Sequence, residues 1–126
     1  MCGLTGFIDY TGDSTEATLR QMTDTMLHRG PDGYGCDVIV KDQYKAGLGH
    51  RRLSILDLSE LGSQPMYTQD KRYGIIFNGE VYNFRSIVAW LEKKGHQLKS
   101  HSDTDAILLA LIEEGPKALH RFTGMI

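Results

Sequence analysis

Met1-Cys2-Gly3-Leu4-Thr5-Gly6-Phe7 opens the chain and places a cysteine just ahead of a short predicted strand, residues 4–10. Removal of Met1 would make Cys2 the amino-terminal residue, so that a thiol and a free α-amine share one residue. Their reference pKa values, about 8.5 for the thiol and about 8 for the amine, let the amine take the thiol proton. The stretch therefore makes Cys2 a candidate nucleophile, and the plain alternative, that any residue can follow Met1, stays open until the rest of the chain is considered.

Composition excludes several classes of partner. The chain has 126 residues and a formal net charge of -2, with 40% hydrophobic and 24% charged residues, as in one globular domain. Scattered Lys and Arg favour neither nucleic acid nor an anionic membrane, and no apolar run is long enough to span a bilayer. Two cysteines and no visible signal peptide fit a reducing cytosol. We therefore expect a cytoplasmic protein in which Cys36 is a small strand residue and not a disulfide partner of Cys2.

The apolar spacing predicts an α+β fold and not a regular βαβ series. Helices are expected over residues 14–27, 84–94 and 103–114, and strands over 4–10, 35–40, 46–56, 72–77, 80–82 and 121–126. Ser14 is the expected cap of the first helix, and Gly95 and Gly115 the expected ends of the other two. Short turns favour antiparallel pairing, and Asn78-Gly79 between two strand-like runs is typical of a type I′ hairpin.

Five stretches together carry a family resemblance. They are residues 1–7 (MCGLTGF), 28–32 (HRGPD), 49–55 (GHRRLSI), 77–83 (FNGEVYN) and 102–105 (SDTD). In this order and spacing they resemble the class II glutamine amidotransferase domain of glutamine-hydrolysing asparagine synthetases, an N-terminal-nucleophile hydrolase. The resemblance covers essentially the whole chain. It implies that residues 1–126 are the N-terminal part of a type 2 domain, a four-layer αββα sandwich expected to be incomplete at the C-terminus, with the synthetase domain absent.

The resemblance also implies the catalytic set. Cys2 would attack the amide carbon of glutamine, ammonia would leave, and water would hydrolyse the γ-glutamyl thioester. The Asn78 side-chain amide and the Gly79 backbone N–H would form the oxyanion hole, where each donor is worth roughly 3–4 kcal/mol. Judged by pattern alone, Asn78-Gly79 more often marks a plain turn, and a turn can present both donors.

Substrate contacts follow from the same resemblance. Arg52 would clamp the α-carboxylate of glutamine by paired hydrogen bonds, with Leu53 and Ile55 adding backbone contacts. Strand alternation sends Arg51 and Arg52 to opposite faces, so only one of the two can serve.

Two carboxylates, Glu80 and Asp103, are implied as partners of the substrate's α-ammonium group. For Asp103 a helix N-cap remains an alternative, because Ser102-Asp103-Thr104-Asp105 precedes an apolar helical run. The commoner family pattern has Glu where this chain has Asp105, a change expected to shorten a supporting or capping contact.

Supporting residues are expected in the loop after the first helix and in the central motif: Arg29, Gly30 and His50. A Cys2–His50 dyad of the papain type is an alternative that ignores the terminal position of Cys2. The histidines lack metal-ligand spacing, so no metal site is expected.

The resulting prediction is a glutaminase half that passes ammonia to an ATP-dependent synthetase domain in cis or in trans. ATP and magnesium are expected only in that domain, and no cofactor in this chain. The alternative is a catalytically silent, glutamine-binding remnant. An incomplete sheet would also leave an edge and a core face exposed, which favours self-association into a homo-oligomer.

Overall fold

The computed structural model describes residues 2–54, 62–100 and 102–126. Its elements confirm the α+β class and fall into two compact units, one of residues 2–54, 63–65 and 76–78, the other of the remaining described residues. No helix among the described residues is long and apolar enough to cross a membrane. The elements are β1 (Gly3–Asp9), α1 (Glu16–Asp24), β2 (Gly33–Val40), β3 (Lys45–Arg52), β4 (Met66–Tyr67), β5 (Gly74–Ile75), β6 (Glu80–Val81), α2 (Phe84–Lys93), α3 (Asp103–Glu114), a 3₁₀ helix (Gly115–Arg121) and β7 (Gly124–Met125).

The first unit is built on a three-stranded antiparallel sheet in the order β1-β3-β2, with β3 in the centre. Helix α1 packs on one face through Leu19 and Thr23, both fully buried. A Cβ on Gly49 would lie 2.2 Å from Oγ1 of Thr23, so the absent side chain at the centre of β3 lets the helix approach the sheet closely.

The opposite face of the same sheet is crossed by the segment 63–65. A Cβ on Gly35 would lie 2.0 Å from the carbonyl oxygen of Gln64, so only glycine in β2 allows this crossing. Residues 76–78 join the unit here, since the Phe77 N–H donates to Oε1 of Gln64 at 2.5 Å. Leu4 and Ile8 of β1 alternate to this face and remain exposed.

The second unit contains two small antiparallel pairs, β4 with β5 and β6 with β7, together with α2 and α3. Helix α2 ends as predicted before Gly95, whose φ is 90°, and α3 ends before Gly115, whose φ is 61°. The buried apolar side chains of this unit are Val81, Ile87, Leu91, Ala106, Ile107, Leu108, Ala110 and Ala118.

Several predicted ranges are too long, since helix 14–27 spans only Glu16–Asp24, strand 72–77 only Gly74–Ile75 and strand 121–126 only Gly124–Met125. The predicted hairpin and the predicted cap of the first helix are wrong. The predicted hairpin at Asn78-Gly79 does not form, because β5 pairs with β4 and β6 pairs with β7. The first helix is capped by Thr15 and not by Ser14: Oγ1 of Thr15 accepts from the Thr18 N–H in a capping box. The last two residues of the predicted strand 46–56 lie outside the described residues.

Candidate functional site

Cys2 is held at the start of β1 by contacts to two other segments. Its half-buried Sγ accepts from the Leu53 N–H at 3.3 Å and lies 3.8 Å from the Leu53 carbonyl oxygen. Nε of Arg29 donates to the Cys2 carbonyl at 3.0 Å. The sulfur therefore lies against the backbone amide of Leu53. Met1 lies outside the described residues.

The two arginines of β3 point to opposite faces, as alternation predicts. Arg51 faces α1, where its Nε donates to the Thr23 carbonyl at 3.3 Å and its NH2 group pairs with the Asp24 carboxylate. Gly3 pairs with Arg51 in the β1–β3 register, so the preceding Cys2 and the following Arg52 alternate to the other face. The register thus places the thiol and the Arg52 side chain on one side of the sheet.

The loop containing Arg29 and Gly30 is fastened to the end of β3. Gly30 is buried, and a Cβ there would lie 2.5 Å from the Arg51 carbonyl carbon and 2.7 Å from the Arg52 nitrogen. The Asp32 N–H donates to the Arg52 carbonyl at 3.0 Å, and the Asp32 carboxylate accepts from the Ser54 N–H at 2.8 Å. These contacts fix the backbone on both sides of Leu53.

His50 is the most buried ionisable side chain on the Arg52 face, with 1% exposure. Burial lowers its pKa from 6.5 to about 4; a hydrogen bond to the Phe77 backbone raises the pKa, and the Arg52 charge lowers it further. The imidazole is therefore neutral at pH 7. Its Nε2 has no hydrogen-bond partner among the residues that the structure describes.

Asp103 and Glu80 belong to the second unit, at the beginnings of α3 and β6. Oδ2 of Asp103 accepts from the Val81 N–H at 3.1 Å, which ties the start of the helix to the residue after Glu80. The cap of α3 is Ser102, whose hydroxyl accepts from the Asp105 N–H at 3.4 Å, so the N-cap alternative for Asp103 is wrong.

Asp105 has a supporting role of its own. Its buried carboxylate accepts from the Lys99 N–H at 2.6 Å and from the Ser100 N–H at 3.0 Å. The shorter side chain at this position thus holds the segment that leads into α3.

A family comparison decides the class of the domain. A sequence model described as "Glutamine amidotransferase domain" matches residues 1–126. The chain belongs to this glutamine amidotransferase family. It is 38% identical to asparagine synthetase [glutamine-hydrolyzing] 1 of Bacillus subtilis and 35% identical to asparagine synthetase B [glutamine-hydrolyzing] of Escherichia coli. It is 34% identical to putative asparagine synthetase [glutamine-hydrolyzing] 2 of Methanocaldococcus jannaschii. Each match covers 99% of this chain. The chain spans only 20%, 22% and 26% of those three relatives.

In this glutamine amidotransferase domain the predicted site residues divide between the two units. The first unit brings together Cys2, Arg29, Gly30, His50, Arg52, Leu53 and Asn78; the second holds Gly79, Glu80 and Asp103. Ile55 lies outside the described residues. No cluster of His, Cys, Asp and Glu that could hold a metal occurs in the described part of the domain.

Two features of the domain escaped prediction. Gln64 lies in a segment with no periodic pattern, and its bond to Phe77 spans thirteen positions of sequence, so no local signal indicates it. A cavity of about 590 Å³ lies in the second unit between α2 and residues 96–100. None of the predicted site residues is among the residues that line it.

Proposed function

We propose that this domain hydrolyses glutamine to glutamate and ammonia through a thioester on Cys2. One observation carries the proposal: the Cys2 sulfur lies against the Leu53 amide, on the sheet face to which Arg52 alternates. A nucleophile bonded to a backbone N–H and a cation for a substrate carboxylate thereby share one side of one sheet.

The reaction begins with proton transfer from the thiol to the α-amine that removal of Met1 would free. Sγ then attacks the amide carbon, forming the S–C bond and an oxyanion. Collapse of this intermediate breaks the C–N bond, and the protonated amine returns its proton to the departing ammonia. Water, deprotonated by the same amine, attacks the thioester and releases glutamate and the thiol.

The oxyanion would be stabilised by the Asn78 side-chain amide and the Gly79 N–H. Neutral donors aimed at the developing charge typically contribute about 10²–10³ in rate each. Support comes from the placement of Asn78, which directly follows the Phe77 backbone bound by Gln64 in the same unit as Cys2.

Substrate recognition would use opposite charges at the two ends of the amino acid. Arg52 binds the α-carboxylate, with backbone contacts from Leu53 and Ile55, while Glu80 and Asp103 bind the α-ammonium group. The Asp103 bond to Val81 supports the second pair, because it holds the start of α3 beside the strand that begins at Glu80.

Arg29, Gly30 and His50 support the site without touching the reacting atoms. The bond from Arg29 to the Cys2 carbonyl fixes the position of the nucleophile, and the bond from His50 goes to Phe77. The bonds described for Sγ go to Leu53. This pattern supports the terminal amine, and not a Cys2–His50 dyad, as the base.

The ammonia would pass to an ATP-dependent synthetase domain, in cis or in trans, which would bind the ATP and magnesium. Three relatives carry the name asparagine synthetase and are four to five times longer than this chain, which supports such a partner. A second sheet over the exposed face that carries Leu4 and Ile8 would complete a four-layer αββα sandwich. A cytoplasmic location suits a free catalytic thiol.

The proposal is tested by glutamate release from glutamine by the full-length protein and two cysteine variants. Cys2→Ala should retain less than about one thousandth of the wild-type rate. Cys36→Ala, which removes the other half-buried free thiol of the same sheet, should retain nearly all of it. Full activity in Cys2→Ala would contradict the proposal, and a wild-type protein without activity would favour the silent remnant.

A further inference from the structure

The Phe77 backbone is held by two buried polar side chains. Oε1 of Gln64, a residue with 9% exposure, accepts from the Phe77 N–H at 2.5 Å. His50 is the register partner of Gly35, the residue that the Gln64 carbonyl passes closely, and a hydrogen bond to the Phe77 backbone raises the imidazole pKa. We call His50, Gln64 and the Phe77 backbone the Phe77 clamp.

At Phe77 the clamp provides the backbone with bonds to side chains, where a strand would bond to a neighbouring strand. Residues 76–78 belong to no strand, yet they are half-buried, and backbone groups away from water require partners. Both partners are themselves anchored to the sheet. His50 lies in the central strand β3, and the Gln64 carbonyl passes so close to Gly35 that a Cβ would lie 2.0 Å from it.

Only a neutral imidazole fits this role at the observed position. Burial and the neighbouring Arg52 disfavour the charged ring, which leaves one N–H. Nε2 has no hydrogen-bond partner among the described residues, so no bond through that atom holds the ring elsewhere.

We propose that His50 and Gln64 are positioning residues that hold the Asn78 amide in the oxyanion hole by fixing Phe77, the residue before it. The inference rests on the proposed function, in which Asn78 stabilises the oxyanion. Such donors act only when they lie about 2.7–3.1 Å from the developing charge, and a displacement of about 1 Å can cost about 10²-fold in rate. The clamp supplies this precision from β3, the strand that also carries Arg52.

The experiment measures kcat and KM for glutamine hydrolysis by the full-length protein. His50→Leu and Gln64→Leu each remove one side of the clamp and should lower kcat about 10–100-fold, with KM changed less than about 3-fold, because the substrate-binding charges remain. His50→Asn keeps a neutral side chain with hydrogen-bonding groups at this buried position and should restore most of the loss. The matched control is Thr23→Val, a buried polar position on the α1 face of the same unit, which should leave kcat unchanged.

A double-mutant cycle with Asn78→Ala separates positioning from general loosening. If the clamp acts through Asn78, His50→Leu should lower kcat less than about 3-fold once that side chain is gone. Equal losses with and without Asn78, or unchanged kcat in both His50→Leu and Gln64→Leu, would overturn the inference. If His50→Leu fails to fold, Gln64→Leu carries the same cycle with Asn78→Ala.

Failure of the clamp and failure of the proposed function give different results. If Cys2→Ala and Asn78→Ala lower hydrolysis but the cycle is additive, the clamp alone is wrong. If Asn78→Ala leaves kcat unchanged, the oxyanion assignment is wrong and the clamp falls with it. If Cys2→Ala remains active, both fall together with the thioester.

Discussion

Gly30 has no room for a side chain, because the backbone of Arg51 and Arg52 passes 2.5–2.7 Å from where its Cβ would be. Gly30→Ala should therefore lower the free energy of unfolding by about 1–3 kcal/mol, since a backbone contact cannot rotate away. Urea denaturation measures the change. Gly33→Ala is the matched control in the same segment, where the new Cβ would meet Arg52 Cβ at an ordinary 3.7 Å. Equal effects of the two substitutions would contradict the close approach.

The depressed pKa of His50 makes stability depend on pH. Between pH 6.5 and about 4, the unfolded chain binds a proton at this histidine that the folded protein does not bind. The contribution of His50 to the free energy of unfolding is therefore complete above pH 6.5. The free energy of unfolding should fall by roughly 3 kcal/mol as the pH drops through this window.

Comparison with His50→Asn isolates this contribution, because the variant keeps every other titrating group. Denaturation at pH 7 and at pH 4.5 should show a smaller loss in His50→Asn than in the wild-type protein. An identical loss in both would show that the folded histidine titrates normally.

Single residues were predictable where chain geometry is local. Alternation along β3 predicts that Arg51 and Arg52 point to opposite faces, and in the structure Arg51 contacts Thr23 and Asp24 of α1. The Phe77 clamp was not predictable, because it joins β3, residue 64 and residue 77 through contacts that no periodicity encodes. The roles of the site residues in catalysis remain predictions.

At the scale of elements, the capping box of α1 gives a direct test. Oγ1 of Thr15 accepts from the Thr18 N–H, and Oγ1 of Thr18 accepts from the Thr15 N–H. Thr15→Ala should cost about 1 kcal/mol of unfolding free energy. Ser14→Ala should cost less than about 0.5 kcal/mol, since Ser14 bonds to Asp9 and Lys45 through its backbone. Thermal or urea unfolding of both variants measures the difference, and a larger effect at Ser14 would contradict the assigned cap.

Helices were predicted better than short strands. The range 103–114 was predicted to the residue, because its apolar pattern and its Gly115 end are local signals. The Asn78-Gly79 hairpin was wrong because the partners of β5 and β6 lie elsewhere in the chain, and Glu80 pairs with Met125. Two-residue strands such as β4 are too short to show an alternating pattern.

At the scale of the molecule, the proposed second sheet can be tested through Ile8. This side chain is 65% exposed on the sheet face opposite α1. In the 126-residue chain, Ile8→Thr should change the free energy of unfolding by less than about 0.5 kcal/mol. In the assembly with the proposed synthetase partner it should cost about 1.5–3 kcal/mol, because another layer would bury the side chain.

Val40→Thr provides the control for that comparison. Val40 is equally exposed at 67%, but its register with Lys45 and Asp9 places it on the α1 face. It should have a small effect in the chain alone and in that assembly. A small effect of Ile8→Thr in the assembly as well would contradict the four-layer proposal.

The family was predictable because five motifs recur in a fixed order, and the α+β class because apolar spacing and short turns are local signals; both are now shown. The catalytic claim is tested most directly by labelling the full-length protein with 6-diazo-5-oxo-norleucine, a glutamine-like electrophile, and locating the adduct by peptide mass spectrometry. The account predicts an adduct on Cys2 with Met1 absent, slowed by excess glutamine, and an unmodified Cys36. Retained Met1 without an adduct on Cys2, or equal labelling of both cysteines, would contradict it.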